Sequence, residues 1–264
     1  MHPILFQFSS FTVESYWFFM ILSFITAGAI VFWQAKKQNL DLNKAKYLIV
    51  ATIIGGFIGS RIVYVFLNFS RYQNDPLRIL QFWKGGLSWQ GAFIIGFLVL
   101  ILLLKDNRKE AGKWFDAIIF GVLLGHSIGR IGCFLEGCCY GITTNVFWAI
   151  KNPSLGDNLL RHSTQLYEVF GYLAIFLLLY FYSKKNKLKD GSLFFIGTIL
   201  HSSIRFIVEY FRYNRDFICQ GNTWYNTLSY AQFTALIIII ISFLILLGIN
   251  HKKRLKITTK QNSN

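Results

Sequence analysis

Charged residues are scarce in this chain. Asp, Glu, Lys and Arg make up 15% of its 264 residues, against roughly 25% in an ordinary soluble domain. Hydrophobic residues make up 54% of the sequence. These proportions argue against a soluble globular protein and favour a membrane protein built from packed apolar helices.

Several short motifs are also missing. The cysteines form no two C-x-x-C pairs and have no accompanying H-x-x-x-H spacing, which disfavours a zinc site; they are Cys133, Cys138, Cys139 and Cys219. No glycine loop follows a strand and no carboxylate cluster suits a metal, so neither a cofactor nor a metal is predicted. The N-terminus lacks a basic region before its first apolar run, which argues against a cleaved signal peptide.

Seven apolar runs are long enough for transmembrane helices. A bilayer core about 30 Å thick needs roughly 20 mostly apolar residues per helix. The runs lie near residues 15–34, 47–67, 87–104, 115–135, 165–182, 192–211 and 230–249. The sequence therefore predicts an all-α polytopic membrane protein with about seven transmembrane helices, in a single domain over residues 1–250.

The basic residues are distributed unevenly between the loops. Loops on one side of the predicted spans, with the C-terminal segment, carry 17 Lys and Arg residues, and those on the other side carry 7. Because short cytoplasmic loops hold the excess of Lys and Arg, the N-terminus is predicted outside and the C-terminus in the cytoplasm. Residues 251–264 are predicted to form a basic, disordered cytoplasmic tail on anionic lipid. Basic residues scattered in short turns argue against nucleic-acid binding.

Three arginines, Arg61, Arg130 and Arg205, fall inside predicted spans. A charge at the centre of a spanning helix costs on the order of 2.5–3.5 kcal/mol on insertion scales, so such residues usually face the bundle interior and mark a functional site. Counting along the spans places further polar residues at a similar, outer depth: Gln90, His126, Cys133, His162, Gln165, Glu168, Glu209 and Arg212. Polar residues from five spans are thus predicted to converge on one site.

Glycines concentrate in the same region, above all in residues 125–141. Small residues let helices approach closely, and this segment is too rich in glycine for a uniform helix. Its second half is predicted to leave the helix and line a cavity, because irregular backbone at membrane depth is tolerated where it lines one.

Six motifs then occur in order along the chain. They are Met1-His2-Pro3-Ile4-Leu5 with Ser15-Tyr16; G-x-R-x-x-Y at 59–64; Asp75-Pro76-Leu77 with W-K-G-G-L at 83–87; G-R-x-x-x-F-x-x-x-x-x-x-G at 129–141; R-H-S-T-Q-L-Y-E at 161–168; and R-x-x-x-E-x-x-R at 205–212. In this order they resemble the motifs of the prolipoprotein diacylglyceryl transferases, enzymes of the bacterial inner membrane.

The resemblance implies a reaction and its partners. A diacylglyceryl group would pass from phosphatidylglycerol to the lipobox cysteine thiol of a prolipoprotein signal peptide, with release of glycerol phosphate, as the first step of lipoprotein maturation. Arg130 and Arg205 would hold the phosphate, because a guanidinium binds phosphate oxygens bidentately. The resemblance also implies contacts with substrate or membrane lipid from Arg61, Tyr16, Cys133, Gly141, Gln165, Glu168, Glu209 and Arg212.

The sequence departs from the family pattern at the expected base. Most members have His where this chain has Gln90, which cannot take up a proton at neutral pH, so Gln90 is a catalytic candidate by position only. A common Tyr is replaced by His201, one helical turn before Arg205, and His126 lies one turn before Arg130. Either histidine is a candidate for the missing base.

The common Asn and Glu of the family signature are replaced by Cys133 and Cys138. Cys138 and Cys139 are open to a structural or redox role, and an oxidising outer compartment also permits a disulfide with Cys219. The departures leave one alternative open, a divergent member with the same lipid-binding fold but another substrate or no activity. An anion transporter is disfavoured because the inner halves of the spans are almost uniformly apolar.

Overall fold

The structure is a computed structural model that describes residues 2–8, 11–73, 75–81, 86, 88–186, 188–213 and 228–261. Helices dominate this part of the chain. Their bounds are α1 Ser15–Lys37, α2 Leu42–Leu67, α3 Trp89–Leu104, α4 Ala111–Glu136, α5 Thr164–Lys185, α6 Ser192–Glu209 and α7 Tyr230–Gln261. Six of them are long and apolar enough to cross a membrane, and α3 contains a shorter apolar stretch, Gly91–Leu104. The predicted all-α polytopic architecture is confirmed.

The helices extend beyond several of the predicted apolar runs. The second helix, for example, begins at Leu42 rather than near residue 47, because the Asp41 carboxylate accepts a hydrogen bond of 2.9 Å from the Asn43 amide and caps the helix. The seventh helix continues to Gln261, so the predicted tail is helical rather than disordered over residues 251–261. An apolar run marks the part of a helix that is suited to lipid, and polar residues can extend the helix at either end. The orientation of the termini stays a prediction.

Two short β-hairpins were not predicted. Strand β1, Ile4–Phe8, pairs antiparallel with β2, Phe11–Glu14, and strand β3, Ile150–Lys151, pairs with β4, Leu160–Arg161. The first hairpin is anchored to α1 because the buried Ser15 donates its hydroxyl to the His2 carbonyl and its amide to the Pro3 carbonyl.

The chain forms two compact units, Met1–Ile30 with Gly112–Asn264, and Val31–Ala111. A core of the first unit lies between α4 and α5 and contains Ile119, Phe120, Leu123, Tyr172, Ile175 and Leu179. In the second unit, α2 packs closely on α3: a Cβ added at Gly59 would lie 2.7 Å from the Gly91 carbonyl oxygen. The single transmembrane domain over residues 1–250 stays a prediction.

In the first unit, α4 packs on α1 through glycines. A Cβ at Gly125 would lie 2.9 Å from the Ala27 Cβ, and one at Gly132 would lie 2.9 Å from the Phe19 Cβ. Together with Gly129 they recur at helical spacing on one face. The prediction that the second half of residues 125–141 leaves the helix holds only from Gly137 onward. The helix persists to Glu136, and the chain turns at Gly137, whose φ of +82° suits glycine.

This packing gives a stability prediction. Gly125→Leu is expected to lower the free energy of unfolding by about 1–3 kcal/mol, because the new side chain overlaps Ala27 and the Ser23 carbonyl. Gly129→Ala is the matched control, since its added Cβ would lie 3.8 Å from the nearest Ser23 atoms. Thermal unfolding of both variants in detergent checks this. Equal unfolding temperatures would contradict a tight α1–α4 contact at Gly125.

Candidate functional site

A chain of ion pairs connects α4, α5 and α6 in the first unit. The Arg130 guanidinium on α4 pairs through Nε with the Glu168 carboxylate on α5. The other oxygen of Glu168 lies 3.6 Å from Nη1 of Arg205 on α6. Arg205 also pairs with Glu209 at 2.6 Å, one helical turn further on. The structure thus brings together four of the sequence-predicted site residues.

Arg212 also belongs to this series of ion pairs, but it lies after the end of α6. The predicted sixth span included residue 211, but α6 ends at Glu209. Arg212 instead forms a β-bridge with Gly141, and its Nη1 lies 3.7 Å from the Glu209 carboxylate. The other oxygen of Glu209 accepts a hydrogen bond of 3.0 Å from the Ser229 hydroxyl.

The carboxylates of this ion-pair series are more deeply buried than its guanidiniums. The side chains of Glu168 and Glu209 are 3% and 4% exposed, whereas those of Arg130, Arg205 and Arg212 are 13%, 20% and 18% exposed. Two carboxylates and three guanidiniums leave one positive charge. Their geometry therefore holds three planar donors in place while keeping an excess of positive charge for an anion.

The two candidate base histidines lie together on α4 and α6. Nδ1 of His126 lies 2.9 Å from Nε2 of His201, within hydrogen-bonding distance. The Tyr172 ring stacks on both imidazoles, with centroid distances of 4.6 Å and 4.4 Å. The other two ring nitrogens, Nε2 of His126 and Nδ1 of His201, are not part of this hydrogen bond.

The segment after α4 is held on both sides by backbone hydrogen bonds. Gly141 donates to the His162 carbonyl at 2.9 Å, and Ile142 donates to the Phe211 carbonyl at 2.8 Å. A Cβ at Gly141 would lie 2.7 Å from the His162 carbonyl oxygen. Gly141, predicted as a substrate contact, therefore has a clear structural role in letting three segments of backbone meet.

The first residues of α5 also bind the segment that follows α4, through their side chains. The Gln165 amide donates to the Cys138 carbonyl at 2.5 Å, and the Thr164 hydroxyl donates to the Cys139 carbonyl at 2.6 Å. Gln165 is buried, so its polar head serves this contact. In the structure Gln165 contacts the backbone of Cys138. Its role in substrate binding stays a prediction.

Three free cysteines surround the end of α4. The sulfur atoms of Cys133, Cys138 and Cys139 all lie within 4.8 Å of one another. Nη1 of Arg130 lies 3.8 Å from the Cys133 sulfur. Cys219 lies outside the described residues, so the disulfide considered for it stays a prediction.

Tyr16 lies at the start of α1. A Cβ at Gly132 would be 3.5 Å from the Tyr16 carbonyl oxygen, which places the Tyr16 backbone beside the last turns of α4. The phenol also lies within electrostatic range of the Arg130 guanidinium. The structure therefore brings Tyr16 to the arginine cluster.

Arg61 and Gln90 belong to the second unit. The Arg61 guanidinium donates to three backbone carbonyls, those of Arg78 at 2.7 Å and of Ile79 and Gly86 at 2.9 Å each. These bonds tie α2 to the following loop, which gives Arg61 a structural role. The backbone of Gln90 lies in α3, and its side chain lies outside the described residues.

Sequence reasoning missed Arg161 as a site residue and counted it only as a loop cation. Its guanidinium is buried between the rings of Tyr140 and Tyr213, at 5.3 Å and 5.2 Å, and donates to the Asp157 carboxylate at 2.6 Å. That hydrogen bond holds the pKa of Asp157 below its ordinary value, and burial lowers the pKa of the neighbouring His162. The R-H-S-T-Q-L-Y-E motif was the available signal.

A small cavity of about 140 Å³ lies at the edge of the arginine cluster. It is lined by Cys139, Tyr140, Arg212 and Tyr213. Cys139 and Arg212 therefore line the same cavity as Tyr140 and Tyr213, the two tyrosines on either side of Arg161.

Comparison with known proteins gives a consistent result. A family model described as prolipoprotein diacylglyceryl transferase matches residues 3–248. Relatives named phosphatidylglycerol–prolipoprotein diacylglyceryl transferase include one from Wolbachia pipientis subsp. Culex pipiens, 32% identical over 254 residues that cover 93% of this chain and 94% of the relative. Another, from Clostridium tetani, is 30% identical over 249 residues, covering 93% of this chain and 96% of the relative. A third, from the Wolbachia of Brugia malayi, is 33% identical over 213 residues, covering 78% and 80%.

Proposed function

Since the chain belongs to the prolipoprotein diacylglyceryl transferase family, we propose that it transfers the diacylglyceryl group of phosphatidylglycerol to the lipobox cysteine thiol of a prolipoprotein. It is a multi-pass bacterial membrane protein, which suits a lipid donor. The bacterial inner membrane is the proposed compartment, since the lipid donor lies in a membrane.

The observation that carries the proposal is the cluster of three guanidiniums backed by two buried carboxylates. A phosphodiester headgroup is anionic, and the excess positive charge of the cluster complements it. Glu168 and Glu209 fix the orientation of Arg130 and Arg205 before the lipid arrives. Donors fixed in advance stabilise developing charge without reorganisation during the reaction.

The proposed chemistry is a displacement at the glyceryl carbon. The thiolate sulfur forms a bond to that carbon while the bond between the carbon and the phosphate oxygen breaks, and the electron pair leaves with glycerol phosphate. Negative charge grows on the departing phosphate, which Arg130 and Arg205 would stabilise. The thiol must lose its proton before or during attack.

The His126–His201 pair is a candidate for accepting that proton. Because the two rings share a hydrogen bond of 2.9 Å, we expect His126→Ala and His201→Ala each to lower the transfer rate, by about 10²–10⁴-fold if the pair is the general base. Measuring the transfer rate of each variant at increasing pH separates a general base from a structural contact. If the histidine is the base, the rate of the variant recovers at high pH, because hydroxide deprotonates the acceptor thiol. Full activity in both single variants would rule the pair out.

Transfer from labelled phosphatidylglycerol to a lipobox peptide, catalysed by the purified protein in detergent, tests the proposal. We expect label on a peptide with the lipobox cysteine and none on the matched peptide with serine in its place. Absence of transfer to the cysteine peptide, under conditions in which a relative such as the Clostridium tetani protein is active, would contradict the proposal. The departures at Gln90, Cys133 and Cys138 would then mark a divergent member.

A further inference from the structure

We propose that Cys133, Cys138 and Cys139 bind one zinc ion, whose fourth coordination position takes the thiol of the acceptor peptide. The role of the fourth position rests on the proposed function, whereas zinc binding itself does not. The spacing C-x-x-x-x-C-C does not match the paired motifs from which zinc sites are usually recognised. The fold nevertheless brings the three sulfur atoms within 4.8 Å of one another.

The distances suit zinc with little movement. Zinc–sulfur bonds of about 2.3 Å in a tetrahedron place the sulfur atoms about 3.8 Å apart. Cys133 lies in the last turn of α4, so its position is set by the helix. The other two ligands lie in the loop after Gly137, and small side-chain rotations bring three sulfur atoms from within 4.8 Å to zinc distance.

The loop is held in a conformation that presents both of its thiols. The carbonyl groups of Cys138 and Cys139 are fixed by the side chains of Gln165 and Thr164, at 2.5 Å and 2.6 Å. Cys139 has a φ of +62°, a left-handed conformation that a residue with a side chain seldom adopts. A strained residue held by its surroundings is typical of a functional site.

The charge around the cluster also favours a zinc thiolate. Three thiolates and one Zn²⁺ carry one net negative charge. The Arg130 guanidinium, 3.8 Å from the Cys133 sulfur, lies where it donates to a ligand sulfur. Protein hydrogen bonds to zinc ligands orient them and tune the metal in this manner.

Three protein ligands leave one position open, as in zinc sites that act on a bound molecule rather than only support a fold. Cys139 lines the cavity of about 140 Å³ together with Arg212, so this ligand is accessible from a space next to the arginine cluster. A thiol that enters the open position binds as the thiolate, because a thiol coordinated to zinc is deprotonated. Its proton passes to the base, for which the His126–His201 pair is the candidate named above, or to solvent.

The coordinated sulfur would then attack the glyceryl carbon. A sulfur–carbon bond forms, the carbon–oxygen bond to phosphate breaks, and glycerol phosphate leaves with the electron pair. No oxidation or reduction occurs. The thioether product is neutral and is a weaker zinc ligand than a thiolate, so the product can leave. This route activates the acceptor thiol in a chain where Gln90 cannot act as a base.

Metal content tests the zinc site independently of transfer. The full-length protein, purified in detergent with a phosphine reductant, is expected to contain about one zinc ion per chain. Cys133→Ser, Cys138→Ser and Cys139→Ser are each expected to lose most of it, and Cys219→Ser is the matched control that keeps it. Absence of zinc, a disulfide between two of the three cysteines, or equal loss in Cys219→Ser would overturn the inference.

The absorption spectrum of the protein with cobalt in place of zinc tests whether the fourth coordination position of the metal is open, and it needs no variant. Adding the cysteine lipobox peptide is expected to increase the sulfur-to-cobalt charge-transfer absorption, and adding the serine peptide is expected to leave it unchanged. No response to the cysteine peptide would overturn the role of the fourth position.

Transfer assays keep the two proposals distinguishable. Full transfer by protein stripped of zinc would overturn the role of the fourth position in activating the acceptor thiol, and it would leave the proposed function standing. A cobalt response to the cysteine peptide without transfer from phosphatidylglycerol would support the zinc site and contradict the proposed function. Loss of transfer on zinc removal and recovery on zinc addition would support both.

Discussion

Arg130→Ala is expected to lower the rate of diacylglyceryl transfer by about 10²–10³-fold, the size of effect seen when one preorganised donor to a developing negative charge is removed. Arg130 contacts Glu168 and the Cys133 sulfur, and 13% of its side chain remains exposed for a ligand. Transfer of labelled diacylglyceryl to a lipobox peptide measures the effect.

Arg130→Lys separates charge from geometry. Lysine keeps the positive charge but offers a point charge instead of a planar fork, so we expect it to recover only part of the lost rate. Arg130→Ala leaves the buried Glu168 carboxylate with only its 3.6 Å contact to Arg205 among the described ion pairs. The double variant Arg130→Ala with Glu168→Gln removes that charge and so controls for its effect. Arg130→Ala protein that folds normally and transfers at the rate of the unmodified protein would contradict an arginine-centred site.

Glu168→Ala is expected to destabilise the protein by about 3–5 kcal/mol, the typical cost of removing one partner from a buried ion pair. Glu168 is the only carboxylate within the described part of the chain that pairs with both Arg130 and Arg205. Without it, Arg130 loses the carboxylate that it pairs with on α5, and of its described ion pairs Arg205 keeps only the one with Glu209. Thermal unfolding in detergent measures the loss, and transfer is expected to fall with it.

Asp75→Asn is a suitable comparison for Glu168→Ala. Asp75 pairs with Arg78 at 3.1 Å, and the two side chains are 45% and 63% exposed. An exposed pair of this kind contributes about 0–1 kcal/mol. A similar loss of stability in the two variants would contradict the interpretation that burial of Glu168 makes its ion pairs important.

The helices could be predicted well because long apolar runs are a strong and local signal. The arginine cluster could be predicted in part for the same reason: a charge within an apolar run is costly, so Arg130 and Arg205 pointed to an interior site. Glu168 and Glu209 followed from their depth in neighbouring spans. Their pairing with particular arginines depends on helix packing, which one sequence does not specify.

Contacts made by loops were the main omissions. The burial of Arg161 between two tyrosine rings depends on residues far apart in sequence. The cysteine cluster was underrated because its spacing resembles no common zinc motif, although the turn at Gly137 folds the three thiols together. Arg61 was predicted to position lipid, and its hydrogen bonds to three loop carbonyls become visible only in the fold.

The products of one reaction test the central claim most directly. Phosphatidylglycerol labelled separately in its diacylglyceryl group and in its headgroup is incubated with the protein and a cysteine lipobox peptide. We predict a peptide with one diacylglyceryl group on sulfur and glycerol phosphate released in equal amount. Headgroup release without a modified peptide, or release of free diacylglycerol alone, would show hydrolysis and contradict transfer to the thiol.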